Sequence, residues 1–257
     1  MDMCEAIRAD NVSYRYGRES GPTLSGLSFS VKKGGFTAIL GHSGCGKSTL
    51  LSLVMGLIFP QSGEIFVNGA PVLGGGTDRA IVFQDCSLFP WMTARENVAF
   101  GAMEARRLPK AQARMIADMT LDMVGLCAGK EKYPSELSGG MRQRAAIARL
   151  LAMDSDIWLF DEPFSALDPD MRRSLQTLTA DMAKDKTTGK TVLFVTHNID
   201  EAIMMSERIL FMDGGGFTAD IEVPFPYPRS REIVRTKEYF ALSDKLARMF
   251  YESRPQR

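Results

Sequence analysis

The chain has 257 residues, long enough to bury a substantial core as one large domain or two lobes. Its 31 Lys and Arg are balanced by 31 Asp and Glu, so no net field recruits nucleic acid or an anionic membrane, and no nucleic-acid partner is expected. Cys4, Cys45, Cys86 and Cys127 lie far apart with no C-x-x-C pair, which argues against a disulfide framework or structural zinc and suits a reducing cytosol.

The N-terminus carries Asp2 and Glu5 and leads into no apolar segment, so it does not read as a secretory signal. Alternation around Ile7 to Tyr14 and Leu27 to Val31, with turn signals at Gly17, Gly21-Pro22 and Gly34-Gly35, predicts an antiparallel β layer. Phe36 to Leu40 then reads as a short strand of a buried parallel sheet. It runs straight into Gly41-His42-Ser43-Gly44-Cys45-Gly46-Lys47-Ser48-Thr49, which fits G-x-x-x-x-G-K-[ST]. In such a loop Gly41, Gly44 and Gly46 let the backbone approach phosphates without a Cβ clash. Lys47 offsets β/γ charge, and Ser48 can ligate Mg²⁺. His42 reads as an ordinary loop residue. Leu50 to Phe59 is too short to span a membrane and is expected as the buried helix whose N-terminus faces the phosphates.

From about Arg95 to Ala152, Met, Ala, Arg and Leu recur at helical spacing and predict a helical lobe. Within it Ser138 is placed to cap a helix over Met141 to Ala152, leaving the amides of Ser138-Gly139-Gly140 available to an anion. Ile157 to Phe160 and Thr191 to Val195 return to short, wholly apolar strands. Asp161 and Glu162 end the first of these, where ligands bind in open α/β folds. Asp161 suits Mg²⁺, directly or through water, and Glu162 suits polarising the water that attacks a γ-phosphate. Pro224, Pro226 and Pro228 interrupt regular structure. Tyr239, Leu242, Leu246, Met249 and Phe250 follow at helical spacing and predict a terminal amphipathic helix, packed on the chain's own core, with a partner-binding face as the alternative.

Leu137-Ser138-Gly139-Gly140-Met141-Arg142-Gln143-Arg144 closely resembles the signature peptide of ABC ATPases. The resemblance covers almost the whole chain: P-loop at Gly41 to Thr49, Q-loop glutamine at Gln84, signature, acidic strand end, a D-loop at Ser165-Ala166-Leu167-Asp168, and Thr196-His197 as the switch. It implies an α/β P-loop NTPase core with a mainly parallel sheet, plus an antiparallel β layer and an inserted α-helical signature lobe. The expected boundaries are 1–92 with 153–223 for the core and β layer, 93–152 for the helical lobe, and 224–257 for the C-terminal segment. It further implies ATP and Mg²⁺ as ligands. Ser138, Gly139 and Gly140 would bind the γ-phosphate of an opposing subunit's nucleotide, Gln84 would reach the metal, and His197 would bond the γ-phosphate. Tyr16 resembles the aromatic that stacks on adenine, with Tyr14 as the other candidate.

Leu88-Phe89-Pro90-Trp91 with Arg95-Glu96-Asn97-Val98 is similar to the nitrate, sulfonate and taurine importer branch, in which this loop meets the transmembrane partner. Phe89 and Trp91 could also be core aromatics. The resemblance implies an ATP-hydrolysing importer subunit, peripheral on the cytoplasmic face of the membrane. Its implied partners are a second copy, permease subunits and, indirectly, a substrate-binding protein. A soluble ABC ATPase of iron-sulfur assembly, cell division or DNA-linked work is the competing reading. Zero net charge and no long coiled-coil insertion stand against its DNA-linked form, and Pro90-Trp91 favours the importer. Three departures leave the phosphate chemistry intact: Met141 where many members have Gln, Gly35 in place of a common Glu, and Gly214-Gly215-Gly216. The solute is not encoded in these residues.

Overall fold

A computed structural model describes residues 5–17, 21, 23–185 and 189–253. Asp2, Cys4 and Pro22, named above, lie outside them. The chain forms two compact units, Met1–Gly74 with Thr191–Arg257, and Gly75–Lys190.

The first unit opens with β1 (Glu5–Tyr14) and β2 (Leu24–Lys32), followed by β3 (Phe36–Gly41), α1 (Lys47–Met55), β4 (Ser62–Val67) and the short β5 (Ala70–Pro71). β1 pairs antiparallel with both β2 and β4, which makes the expected antiparallel layer. Alternation places Ile7 and Ala9 on a buried face, and a register shift between Ala9 and Val12 leaves Val12 buried too. All six residues of β3 are buried, as a strand covered on both faces requires. The helix after the loop is shorter than its apolar run: it stops at Gly56, which takes a left-handed conformation with its amide on Leu53 O and Ser52 O. Leu57 and Phe59, expected inside a buried helix, are instead more than half exposed.

The second unit carries β6 (Arg79–Val82), α2 (Ala94–Arg106), α3 (Lys110–Met123), α4 (Gly139–Met153), β7 (Ile157–Asp161) and α5 (Pro169–Ala183). β6 and β7 pair in parallel. The three helices α2, α3 and α4 pack on one another through small residues such as Ala102, Ala113, Ala117 and Ala146, which let helices approach closely.

The chain then rejoins the first unit through β8 (Thr191–Thr196), α6 (Ile199–Met205), β9 (Arg208–Asp213), β10 (Gly216–Glu222) and α7 (Lys237–Glu252). β3 lies between β8 and β9, parallel to both. β9 and β10 form a hairpin turned by Gly214 and Gly215, both at positive φ. α7 buries Tyr239, Leu242 and Leu246, the face its spacing predicts.

Candidate functional site

In the first unit, the carboxyl end of β3 delivers the glycine loop. A Cβ on Gly41 would meet Met212 O at 2.3 Å, and one on Gly46 would meet Leu24 Cδ2 at 2.7 Å and Thr23 O at 2.8 Å. Gly46 also holds φ 106, so its place is closed to L side chains by conformation as well as by space. It stands at the N-cap of α1 without a side-chain cap, and no acidic residue enters the first turn. The orphan amides of that turn and the helix dipole therefore face the loop with uncompensated positive character.

Lys47 is only 5% exposed, and its Nζ donates to Gly41 O at 2.9 Å and His42 O at 2.7 Å. Ser48 is exposed. Cys45 lies 3.9 Å from Lys47 Nζ; burial pushes its thiol above the usual range, with Lys47 opposing. Tyr16 is 51% exposed, stands edge-on to Tyr14 at 4.9 Å, and accepts a 3.4 Å hydrogen bond on its hydroxyl from Thr49 Oγ1. Of the two tyrosines, Tyr16 is the one bonded to the P-loop helix.

His42 is more than a loop residue. Its Nε2 lies 2.8 Å from Phe250 O, and its ring stands edge-on to the Phe250 ring at 4.7 Å. A cavity of about 370 Å³ is lined by His42, Ser43, His197, Ile199, Ala247, Phe250 and Tyr251. At the end of β8, Thr196 Oγ1 donates to Glu201 Oε2 at 2.7 Å and accepts from Asn198 N at 3.0 Å, while Glu201 N donates to Asn198 Oδ1. This knot fixes the turn that presents the exposed His197.

In the second unit, Asp161 closes the fully buried β7 and Glu162 follows at φ 49, a left-handed conformation that is costly for a non-glycine residue. Gln143, fully buried on α4, holds this turn at two points. Its Nε2 donates to Glu162 O at 3.1 Å, and its Oε1 accepts from Ala166 N at 2.9 Å. Sequence reading gave Gln143 no task of its own; a glutamine on the apolar face of a helix was its only signal.

Ser138 caps α4, accepting from Met141 N at 3.3 Å, and Gly139 and Gly140 form the first helical positions. Asp168 caps α5 through bonds from Asp170 N and Met171 N. Its carboxylate is thus committed to the helix start.

Gln84 is exposed, and the next turn holds Cys86 at φ 66 and Ser87 at φ 41. Arg149 of α4 donates to Ser87 O at 2.9 Å and Cys86 O at 3.2 Å. Burial lowers its guanidinium pKa, a cost set against these two charge-assisted bonds. The following loop is organised by Asn97, fully buried on α2. Its Nδ2 reaches the carbonyls of Phe89, Met92 and Thr93, and its Oδ1 accepts from Phe89 N at 2.7 Å. Phe89 packs on Phe100, whereas Trp91 is left 69% exposed.

The closed glycine cradle, uncapped helix start and buried lysine fit a polyphosphate. The Ser48 hydroxyl, the Asp161 carboxylate and the Gln84 amide are hard oxygen donors, the type that Mg²⁺ takes. Among the described residues no helix is long and apolar enough to cross a membrane.

A nucleotide-binding cassette is the class defined by these features. A family model described as ABC transporter matches residues 24–165, and the chain belongs to that family. It is 40% identical over 234 residues to the nitrate import ATP-binding protein NrtD of Synechococcus elongatus, covering 89% of this chain and 85% of that protein. The taurine import ATP-binding protein TauB of Chromobacterium violaceum is 38% identical over 258 residues, covering 98% of each chain. Against the longer NrtC and CmpC proteins of Synechococcus elongatus, named for nitrate import and bicarbonate transport, the chain spans only 36% and 34% of their length. Among solved structures, the dimeric post-hydrolysis ATP-binding cassette MJ0796 bound to ADP and Pi superposes with a TM-score of 0.78 at 31% identity. That match covers 86% of this chain and all of that one.

Proposed function

We propose that this chain is the ATP-hydrolysing subunit of a membrane importer for a small solute, with anions such as nitrate, a sulfonate, taurine or bicarbonate as the favoured class. The observation that carries the chemistry is Glu162, held in a strained turn directly after Asp161 at the end of a buried strand and fastened by Gln143 to the signature helix. A carboxylate so fixed suits a general base that orients and polarises the attacking water. His197, presented by the Thr196–Glu201 knot, is the second group for positioning that water and the γ-phosphate.

In this reading the P-loop amides and Lys47 bind the phosphates of ATP, and Tyr16 stacks on the base. Ser48, Asp161 and Gln84 are the oxygen donors that would hold Mg²⁺, which would offset charge on the phosphate oxygens. Ser138, Gly139 and Gly140 act on the nucleotide of a second copy, as the dimeric state of the MJ0796 cassette supports. Trp91, offered outward by the Asn97-braced loop, contacts the permease. The subunit then works on the cytoplasmic face of the membrane, and a substrate-binding protein delivers the solute. Import names among relatives that match nearly end to end support this over a soluble ABC ATPase.

The test is hydrolysis by the purified chain with and without its permease in lipid. Stimulation by the permease is expected. Hydrolysis indifferent to every permease would transfer the assignment to the soluble class.

A further inference from the structure

α7 is already docked by Tyr239, Leu242 and Leu246. The last turn of the helix does something additional. Phe250 lies edge-on against Phe211 at 5.1 Å, and Phe211 is the register partner of Leu40, two residues before His42. From that seat the Phe250 ring meets the His42 ring at 4.7 Å, and the Phe250 carbonyl faces His42 Nε2 at 2.8 Å. A carbonyl only accepts, so Nε2 carries the hydrogen and His42 donates. The bond satisfies a carbonyl in the final helical turn, where intrahelical donors run out. The imidazole also meets the negative end of the helix dipole.

His42 is tied on its other side to the phosphate-binding lysine, since its own carbonyl accepts from Lys47 Nζ at 2.7 Å. At the far end of α7, Tyr239 Oη donates to Asp200 Oδ1 at 2.5 Å, on the helix that begins two residues after His197. The desolvated phenol beside this carboxylate is pushed well above the ordinary tyrosine range, so it stays protonated and keeps donating. α7 therefore holds the P-loop with one end and the switch segment with the other. Both contribute lining to the same cavity, His42 and Ser43 from the loop and His197 from the switch.

Resting on the ATPase reading above, we propose that α7 is a brace for the nucleotide site. His42 and Phe250 are positioning residues that set the P-loop's conformation, and hence ATP affinity, without touching the reacting atoms. The amphipathic helix would look like mere core packing to the rest of the fold. The His42–Phe250 contact makes it part of the ATP site's machinery.

The experiment measures ATP dissociation constants by calorimetry, together with turnover and melting temperature, on the full-length chain. The variants are His42→Ala, Phe250→Ala, the double variant and His42→Gln. Each alanine variant is expected to weaken ATP binding about 3- to 10-fold, the usual worth of a part-buried hydrogen bond or ring contact. The double variant should lose less than the sum of the singles, because His42→Ala already removes the ring contact that Phe250→Ala breaks, whereas the Phe250 carbonyl stays in place. His42→Gln, which keeps an N–H donor, should recover most of the affinity. Unchanged ATP affinity, fully additive losses, or a lowered melting temperature with normal affinity would each overturn the brace. Absence of hydrolysis in the wild type would count against the ATPase reading alone, because ATP affinity is read independently of turnover.

Discussion

Lys47 has its ammonium inside the loop on two backbone carbonyls, so in the proposed reading replacing it removes a charge from the place where the phosphates of ATP would sit. Such a charge would act on the bound ground state as well as on the transition state. Lys47→Ala should therefore weaken ATP binding itself, measured by equilibrium titration, and unchanged affinity would contradict its role. Gln143 is a different case, a buried side chain serving two backbone groups at the Glu162 turn. Gln143→Leu leaves Glu162 O and Ala166 N without these bonds at a cost of about 1–3 kcal/mol. At this chain length that amounts to a melting temperature lower by about 2–4 °C per kcal/mol. Turnover should fall further than stability does, because the strained backbone of Glu162 loses its restraint. A variant with normal turnover would show that the glutamine serves packing only.

At the level of elements, Asn97 joins a helix to the loop that carries Trp91. Four hydrogen bonds to the Phe89–Thr93 segment make the loop a fixed shape. Asn97→Leu should reduce stimulation by the permease more than basal hydrolysis, read as the ratio of the two rates. A ratio equal to the wild type's would detach this loop from coupling. The elements also differ in how far they could be read from residues alone. β3, β7 and β8 are unbroken apolar runs with polar punctuation, and α7 has a clear helical stripe, so their positions were legible. The apolar run continues through Leu57 to Phe59 and so predicts a longer helix than α1, which only the left-handed Gly56 ends. The β9–β10 hairpin was missed, since its glycine-rich turn reads equally as a loop. The motif residues were legible because phosphate chemistry dictates their type and spacing. Gln143, and the bond from His42 to Phe250 across 208 positions, were not, because long-range contacts leave no local periodicity.

For the molecule as a whole, the proposed role of the signature glycines requires a second cassette to supply the nucleotide. Slowing hydrolysis should trap that pair: Glu162→Gln with ATP should sediment as a dimer, and without ATP as a monomer. Sedimentation as a monomer under both conditions would contradict binding in trans. In the proposed reading, function as a motor further requires that ATP binding and ATP cleavage be separable, with cleavage resting on Glu162, the residue that follows β7. The most direct measurement is therefore the turnover of Glu162→Gln beside its ATP affinity. Loss of the general base should cut turnover by roughly 10²- to 10⁴-fold while ATP still binds. A rate near that of the wild type would show that Glu162 does not activate the attacking water and would contradict the account at its centre.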